Sequence, residues 1–299
     1  MTKTLLICES RARIVQMRPF FQSLTSLTSF ALLLTAGASL AQAQAPVISP
    51  GGVQNAASSD TTGLPLALGS LISIKGTNLS AVTDVDTVIP LPPTMDGVRV
   101  TVNNVAAPLL YVSGGQINAQ IPWEALASGP PTTNTTAQLV VSTAAGGASM
   151  PANVTLGPAG PGIFTVDSTG SGQAWAYSNI DNAVASATPV PPYTSHPAKI
   201  NDPYSLVILA TGLGAVTPAE VTGAGLPSGV ISNTVTTPTV LIGNVPAQVL
   251  FSGLTPQYPG VYQLNVIVAT GTPPGNAVPL QIRMNGVTSR NDVTIAVSQ

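Results

Sequence analysis

The sequence predicts an all-β protein: two antiparallel β-sandwiches joined by a short β-hairpin and a Pro-rich bridge, preceded by a signal peptide. Three observations predict it. Apolar residues alternate at a period of two in short runs, as half-buried strands require. These runs are cut at close intervals by turn formers, among them 28 Gly and 28 Pro. One stretch also occurs twice: GVRVTVNNVAAPLLYVSGGQINAQIP, from Gly97, returns as TPTVLIGNVPAQVLFSG from Thr237 and then VYQLNVIV from Val261. Laying Val100 on Val240 places Asn104 on Asn244, Ala107 on Ala247 and Leu110 on Leu250, and Gln116-Ile117-Asn118 falls on Gln263-Leu264-Asn265. A unit stated twice is a supersecondary block built twice. Only 7% of residues are charged, but 44% are hydrophobic, so the chain folds rather than staying disordered.

In chain order, residues 1–43 have the layout of a secretory signal peptide. Lys3, Arg11, Arg13 and Arg18 precede an apolar run from Phe30 to Leu40, and Ala41-Gln42-Ala43 offers an A-x-A cleavage site before Gln44. The run is shorter than the roughly 20 residues of a membrane-spanning helix, so no span is expected in the mature chain. Translation starts at Met1 or at Met17, the second giving a peptide of ordinary length. Cleavage removes Cys8, the one cysteine, and with it disulfide and thiolate-metal chemistry. The mature chain keeps Lys75, Arg99, Lys199, Arg283 and Arg290 against twice as many carboxylates, a balance that excludes a basic nucleic-acid surface.

Residues 44–157 form the first expected sandwich. Gly69 to Leu79 alternates and stops at Gly76-Thr77-Asn78, one strand and its turn. Val98, Val100 and Val102 turn one face inward, Asn103-Asn104 predicts a type I′ hairpin turn, and Ala107 to Val112 returns. Gln116 to Ile121 gives a third strand, closed by Pro122, and Trp123 to Ala127 reads as one helical turn. Ala137 to Ser142 and Ala152 to Leu156 complete the unit. Val100, Val102 and Leu110 are its expected core.

Residues 158–203 are the bridge. Ile163 to Val166 and Gln173 to Tyr177 read as a hairpin around an Asp-Ser-Thr-Gly turn, followed by a Pro-rich crossing from Pro189 to Pro197. Residues 204–299 repeat the sandwich, from Ser205 to Gly214 through the duplicated stretch to Val278–Met284 and Asp292–Val297, with Val240, Ile242 and Leu250 expected inside. Seven or so short strands over about 100 residues suit a seven-stranded sandwich.

At these residues the chain resembles known families. GSLISIKGTNL with the strands after it is similar to an IPT/TIG domain, an immunoglobulin-like sandwich of extracellular proteins. ATGLG at Ala210, IGNVPAQVLFSGLTPQYPGVYQLNV at Ile242 and NGVTSRNDVTIAV at Asn285 resemble more closely an uncharacterised C-terminal domain of secreted proteins from Solibacter-type acidobacteria. GGVQNAAS at Gly51 and PLLYVSGGQINAQIPWE at Pro108 resemble the companion N-terminal half. The resemblance spans Gly51 to Val297 and implies immunoglobulin-like fold and export; it transfers no catalytic or binding residue.

Candidate chemistry is sparse. His196 is the one histidine, placed between Ser195 and Pro197, and it reads as a loop residue rather than a triad base; no G-x-S-x-G elbow accompanies it. One His without Cys does not make a zinc site. Asp84, Asp86, Asp167 and Asp181-Asn182 read first as turn residues, with calcium in the bridge as the alternative use. Glu124 and Glu220 stand in nonequivalent loops and suggest no paired-carboxylate cleft. Gly212 and Gly214 follow a strand without a helix after them, so no dinucleotide fingerprint is present. The aromatic residues Trp175 and Tyr177 alternate with Ala174 and Ala176 in the bridge and are the candidate ligand-binding pair, either exposed for sugar stacking or wedged between the sandwiches. No cofactor is implied. The expected function is a non-enzymatic, exported structural or adhesion module, periplasmic or extracellular, whose partner is an extracellular polysaccharide or a cell-surface protein. A carbohydrate-binding protein is the alternative, and a hydrolase the third reading.

Overall fold

The computed structural model describes residues 44–299 apart from Thr61, Ser228 and Gln257. The segment read as a signal peptide, 1–43, lies outside the described residues. Among those described the protein is all-β, and no helix is long and apolar enough to cross a membrane.

The first sandwich is built from β1 (Val47–Asn55), β2 (Leu71–Thr77), β3 (Asp84–Val85), β4 (Val98–Val102), β5 (Val105–Ala107), β6 (Leu109–Val112), β7 (Gln116–Gln120), β8 (Thr135–Thr143), β9 (Gly147–Ala148) and β10 (Ala152–Leu156). One sheet runs β1-β2-β7-β6-β3 and the other β10-β8-β4-β5, with β9 hairpinned onto β8. Val98, Val100 and Val102 are buried while Arg99 points out, and their partners Val141 and Leu139 on β8 are buried too. Ile72, Ile74, Ile117 and Ala119 close the core from the facing sheet. Asn103 and Asn104 have φ of 48° and 65°, so both central residues of the β4–β5 turn are left-handed, the type I′ geometry that suits strand twist.

The second sandwich uses β15 (Leu206–Thr211), β16 (Val216–Thr217), β17 (Asn233–Thr234), β18 (Thr239–Ile242), β19 (Val245–Pro246), β20 (Gln248–Leu254), β21 (Tyr262–Ile267), β22 (Gly275–Met284), β23 (Val287–Thr288) and β24 (Val293–Ser298). Its sheets run β15-β21-β20-β17-β16 and β24-β22-β18-β19. The register matches the first sandwich residue by residue: Val100 faces Val141 as Val240 faces Ile282, and Ile74 faces Ile117 as Ile208 faces Leu264. A bulge falls at the same place in both, between Leu109 and Tyr111 on β6 and between Val249 and Phe251 on β20. The extra residues are Leu110 and Leu250. A bulge residue leaves the inward-outward alternation, and Leu250 is 54% exposed and Leu110 only half-buried, whereas the sequence pattern placed both in the core.

The bridge is woven into the second sandwich. It contributes β11 (Gly162–Ile163), β12 (Gly172–Gln173), β13 (Ala176–Ser178) and β14 (Ala198–Lys199). Thr165 pairs with Ala174 and the Trp175 amide donates to the Phe164 carbonyl at 2.7 Å, the expected hairpin. Its second arm then changes sheets: Gly172–Gln173 run parallel to β24, and Ala176–Ser178 run antiparallel to β15. Beside β15, β13 stands where β1 stands beside β2. In the first sandwich β1 stays on one sheet, bulging between Ile48 and Val53, and among the described residues the outer edge of β10 is met only by Leu66, which bridges Leu156. An uncharged groove of about 650 Å³ remains between β1 and β10, with Val47 and Met150 exposed at its lip.

Candidate functional site

The two sandwiches meet where β7 ends. The turn after Pro122, which does not become a helix, carries Trp123, and the long loop after β16 brings Glu220, Thr222 and Gly223 to it. The Trp123 indole N–H donates to Glu220 Oε2 at 3.3 Å and its backbone N–H to Thr222 Oγ1 at 3.0 Å. The Gln120 side chain donates to Glu220 Oε2 and to the Gly69 carbonyl, each at 3.2 Å, while its Oε1 accepts from the Gly223 amide at 2.7 Å. Thr222 Oγ1 donates to Glu124 Oε2 at 2.6 Å, so the structure brings both glutamates to one place. Trp123 packs against both hydrophobic cores. The indole lies over Gly69 so closely that an added Cβ there would stand 2.0 Å from the ring; at φ of +76° only glycine serves. Further along the contact the Leu71 amide donates to Thr211 Oγ1 at 3.0 Å, Thr211 Oγ1 to the Gly260 carbonyl at 2.6 Å, and Asn55 Nδ2 to the Gly160 carbonyl at 2.8 Å.

Glu220 is 5% exposed. Its Oε1 has no hydrogen-bond partner among the described residues. Burial raises its pKa, and the bonds from Trp123 and Gln120 offset only part of that. A carboxyl so placed holds its proton beyond the usual carboxylate range. Neither Trp123 nor Gln120 stands out as a site residue in the sequence pattern. The available signal was the Ile121-Pro122-Trp123 that follows β7, where the second copy has Val268-Ala269-Thr270 after β21.

Trp175 and Tyr177 are both half-buried. The Trp175 ring meets Tyr193 edge-on, with centroids 5.1 Å apart and planes at 86°, an attractive aromatic geometry. Its backbone is held at both ends, the amide on Phe164 and the carbonyl on the Leu209 amide at 3.2 Å. Tyr177 sits on β13 opposite Val207, and burial, then Tyr258, raises the pKa of its phenol. These rings form an aromatic corner on the second sandwich.

Both His196 nitrogens face acceptors: Nε2 donates to Asp181 Oδ2 at 2.9 Å and Nδ1 to the Pro197 carbonyl at 3.0 Å. Donating from both nitrogens requires the imidazolium, and the carbonyl of Pro197, then Asp181, raises the histidine pKa. Neither nitrogen faces a serine hydroxyl, so the arrangement is an ion pair that ties the crossing to the bridge. Asp167 accepts from the Thr169 amide and hydroxyl, Asp181 from the Ala183 amide, and Asp86 from the Val88 amide. Each carboxylate is thus used in its own turn. Among the described residues no three His, Cys, Asp or Glu side chains gather as a metal would need.

Neither a protein-family model nor a curated protein matches the sequence. Solved structures similar to it include the plexin A4 full extracellular region (12% identity, 91% of this chain and 17% of that one, TM-score 0.26). The gamma-CGTase of Alkalophilic bacillus clarkii is another (12% identity, 87% and 27%, TM-score 0.26). So is the D00-D0 domain of intimin (10% identity, 78% and 94%, TM-score 0.21). The chain spans less than a third of the length of the first two.

Proposed function

We propose that the chain is an exported, non-enzymatic structural or adhesion module of a bacterial surface, in which two sandwiches (44–157 and 204–299, with 158–203 between them) act as one rigid body. The observation that carries the reading is the junction. Trp123 reaches both cores, glycine backbones approach within side-chain distance, and hydrogen bonds from Gln120, Trp123 and the Leu71 amide cross from one half to the other. A module that merely tethers its halves needs none of this, since inter-domain contacts in a chain are otherwise small and mobile. Export is supported by the layout of residues 1–43, and kinship with the secreted Solibacter-type proteins by the motifs quoted from Gly51 to Val297. Spin labels at Arg99 and Arg283, one per sandwich, test the rigidity. A single narrow distance distribution is expected in the parent chain and a broad one in Trp123→Ala; a broad distribution in the parent contradicts the reading.

A second reading, carbohydrate binding at Trp175 and Tyr177, is favoured by one feature: the indole and Tyr193 leave a part-exposed aromatic corner. Affinity electrophoresis through embedded polysaccharides tests it. Retardation of the parent that Trp175→Ala abolishes supports the corner, and equal migration of the two discards it.

A further inference from the structure

We propose that a groove on the outer face of the first sandwich binds carboxylate-bearing sugars. The groove, about 350 Å³, lies over β2 and β7 and is closed on one side by Phe164 and Thr165 of the bridge. Its floor is a square of paired residues, Ser73 opposite Asn118 and Lys75 opposite Gln116. The direction of the hydrogen bonds among them is fixed by Lys75. An ammonium group has donors only, so Gln116 must show it Oε1. That turns Gln116 Nε2 onto Asn118 Oδ1 at 2.7 Å, and Ser73 Oγ donates to the same oxygen at 3.0 Å. The donors not used within the square are the remaining ammonium hydrogens of Lys75, the second hydrogen of Gln116 Nε2 and Nδ2 of Asn118, beside serine and threonine hydroxyls that take either role. A ligand rich in acceptors suits this set.

Charge points the same way. No acidic residue lines the groove, and Lys75 makes no ion pair among the described residues. The second sandwich serves as an internal control. Gln263 and Asn265 keep the same amide pair at 2.7 Å, but Val207 and Leu209 stand where Ser73 and Lys75 stand in the first. The amide pair therefore belongs to the scaffold, and the lysine and serine are particular to the groove. Leu110, pushed outward by its bulge, and Phe164 line it with apolar surface. A uronate sugar matches each part: a carboxylate for Lys75, ring and hydroxyl oxygens for Asn118, and an apolar ring face for Phe164 and Leu110. The volume lies at the low end of small-ligand sites, roughly 300 to 1,000 Å³, which suits a short stretch of polymer.

This site is independent of the aromatic corner, and calorimetric titration of the purified exported chain with oligogalacturonate separates them. Binding is expected to weaken as salt rises, to fall at least tenfold in Lys75→Met at unchanged melting temperature, to survive in part in Lys75→Arg, and to be unaffected by Trp175→Ala. A neutral gluco-oligosaccharide of equal length should bind far more weakly. Binding that Lys75→Met leaves unchanged, that the neutral oligosaccharide equals, or that Trp175→Ala removes would overturn the assignment, as would no binding at all.

Discussion

Leu250 shows how one residue decouples a sequence pattern from a core. Period-two alternation puts it inside, but the bulge between Val249 and Phe251 inserts it as the extra residue, and it emerges 54% exposed. Leu250→Ala should therefore change stability by no more than about 0.5 kcal/mol. Leu280→Ala, at a fully buried position on β22, should cost about 2 to 5 kcal/mol; urea titrations of the two variants check the contrast. Glu220 carries the pH dependence. Its pKa is higher folded than unfolded, so the folded chain holds the extra proton. Its penalty is absent below the unfolded pKa and grows as pH rises through the folded one. Glu220→Gln should match the parent in stability in acid and exceed it at pH 8, which urea titrations at the two pH values check. For His196 the shift is also upward, so the ion pair with Asp181 contributes below the unfolded pKa and is lost as pH rises through the folded value. An NMR titration of the single histidine should show a midpoint above that of free histidine, and Asp181→Asn should lower it.

Among the elements, the hairpins were legible because their information is local. Asn103-Asn104 demands positive φ and has it, and the valines of β4 face in because the pleat makes them. The bridge was legible only as a hairpin. That its second arm would leave β24 for β15 depends on one partner strand more than a hundred residues away and another about 30 residues away, which no local pattern encodes. The edges of β10 and β24 differ in protection. The Ala296 amide on β24 donates to the Ala185 carbonyl at 2.8 Å. Its counterpart Thr155 on β10 turns its carbonyl to Leu66 and its amide toward the uncharged groove. Thr155 should exchange its amide hydrogen markedly faster than Ala296 in native-state hydrogen exchange.

At the scale of the whole molecule, the two sandwiches are held by the lock at Trp123. Its parts were scattered in the sequence: Gln120 and Trp123 lie about a hundred positions from Glu220 and Gly223, and loop residues of ordinary type give no hint that they meet. Trp175, the aromatic residue that stood out by its alternation, packs instead on Tyr193. Removing the half-buried Trp123 side chain should cost about 2 to 3 kcal/mol, less than for a fully buried aromatic, and should fall on the coupling more than on either core. Differential scanning calorimetry of the exported chain tests this directly. The parent should melt in one transition whose calorimetric and van't Hoff enthalpies agree, and Trp123→Ala should split it into two; a parent that already melts in two separate steps would contradict the lock.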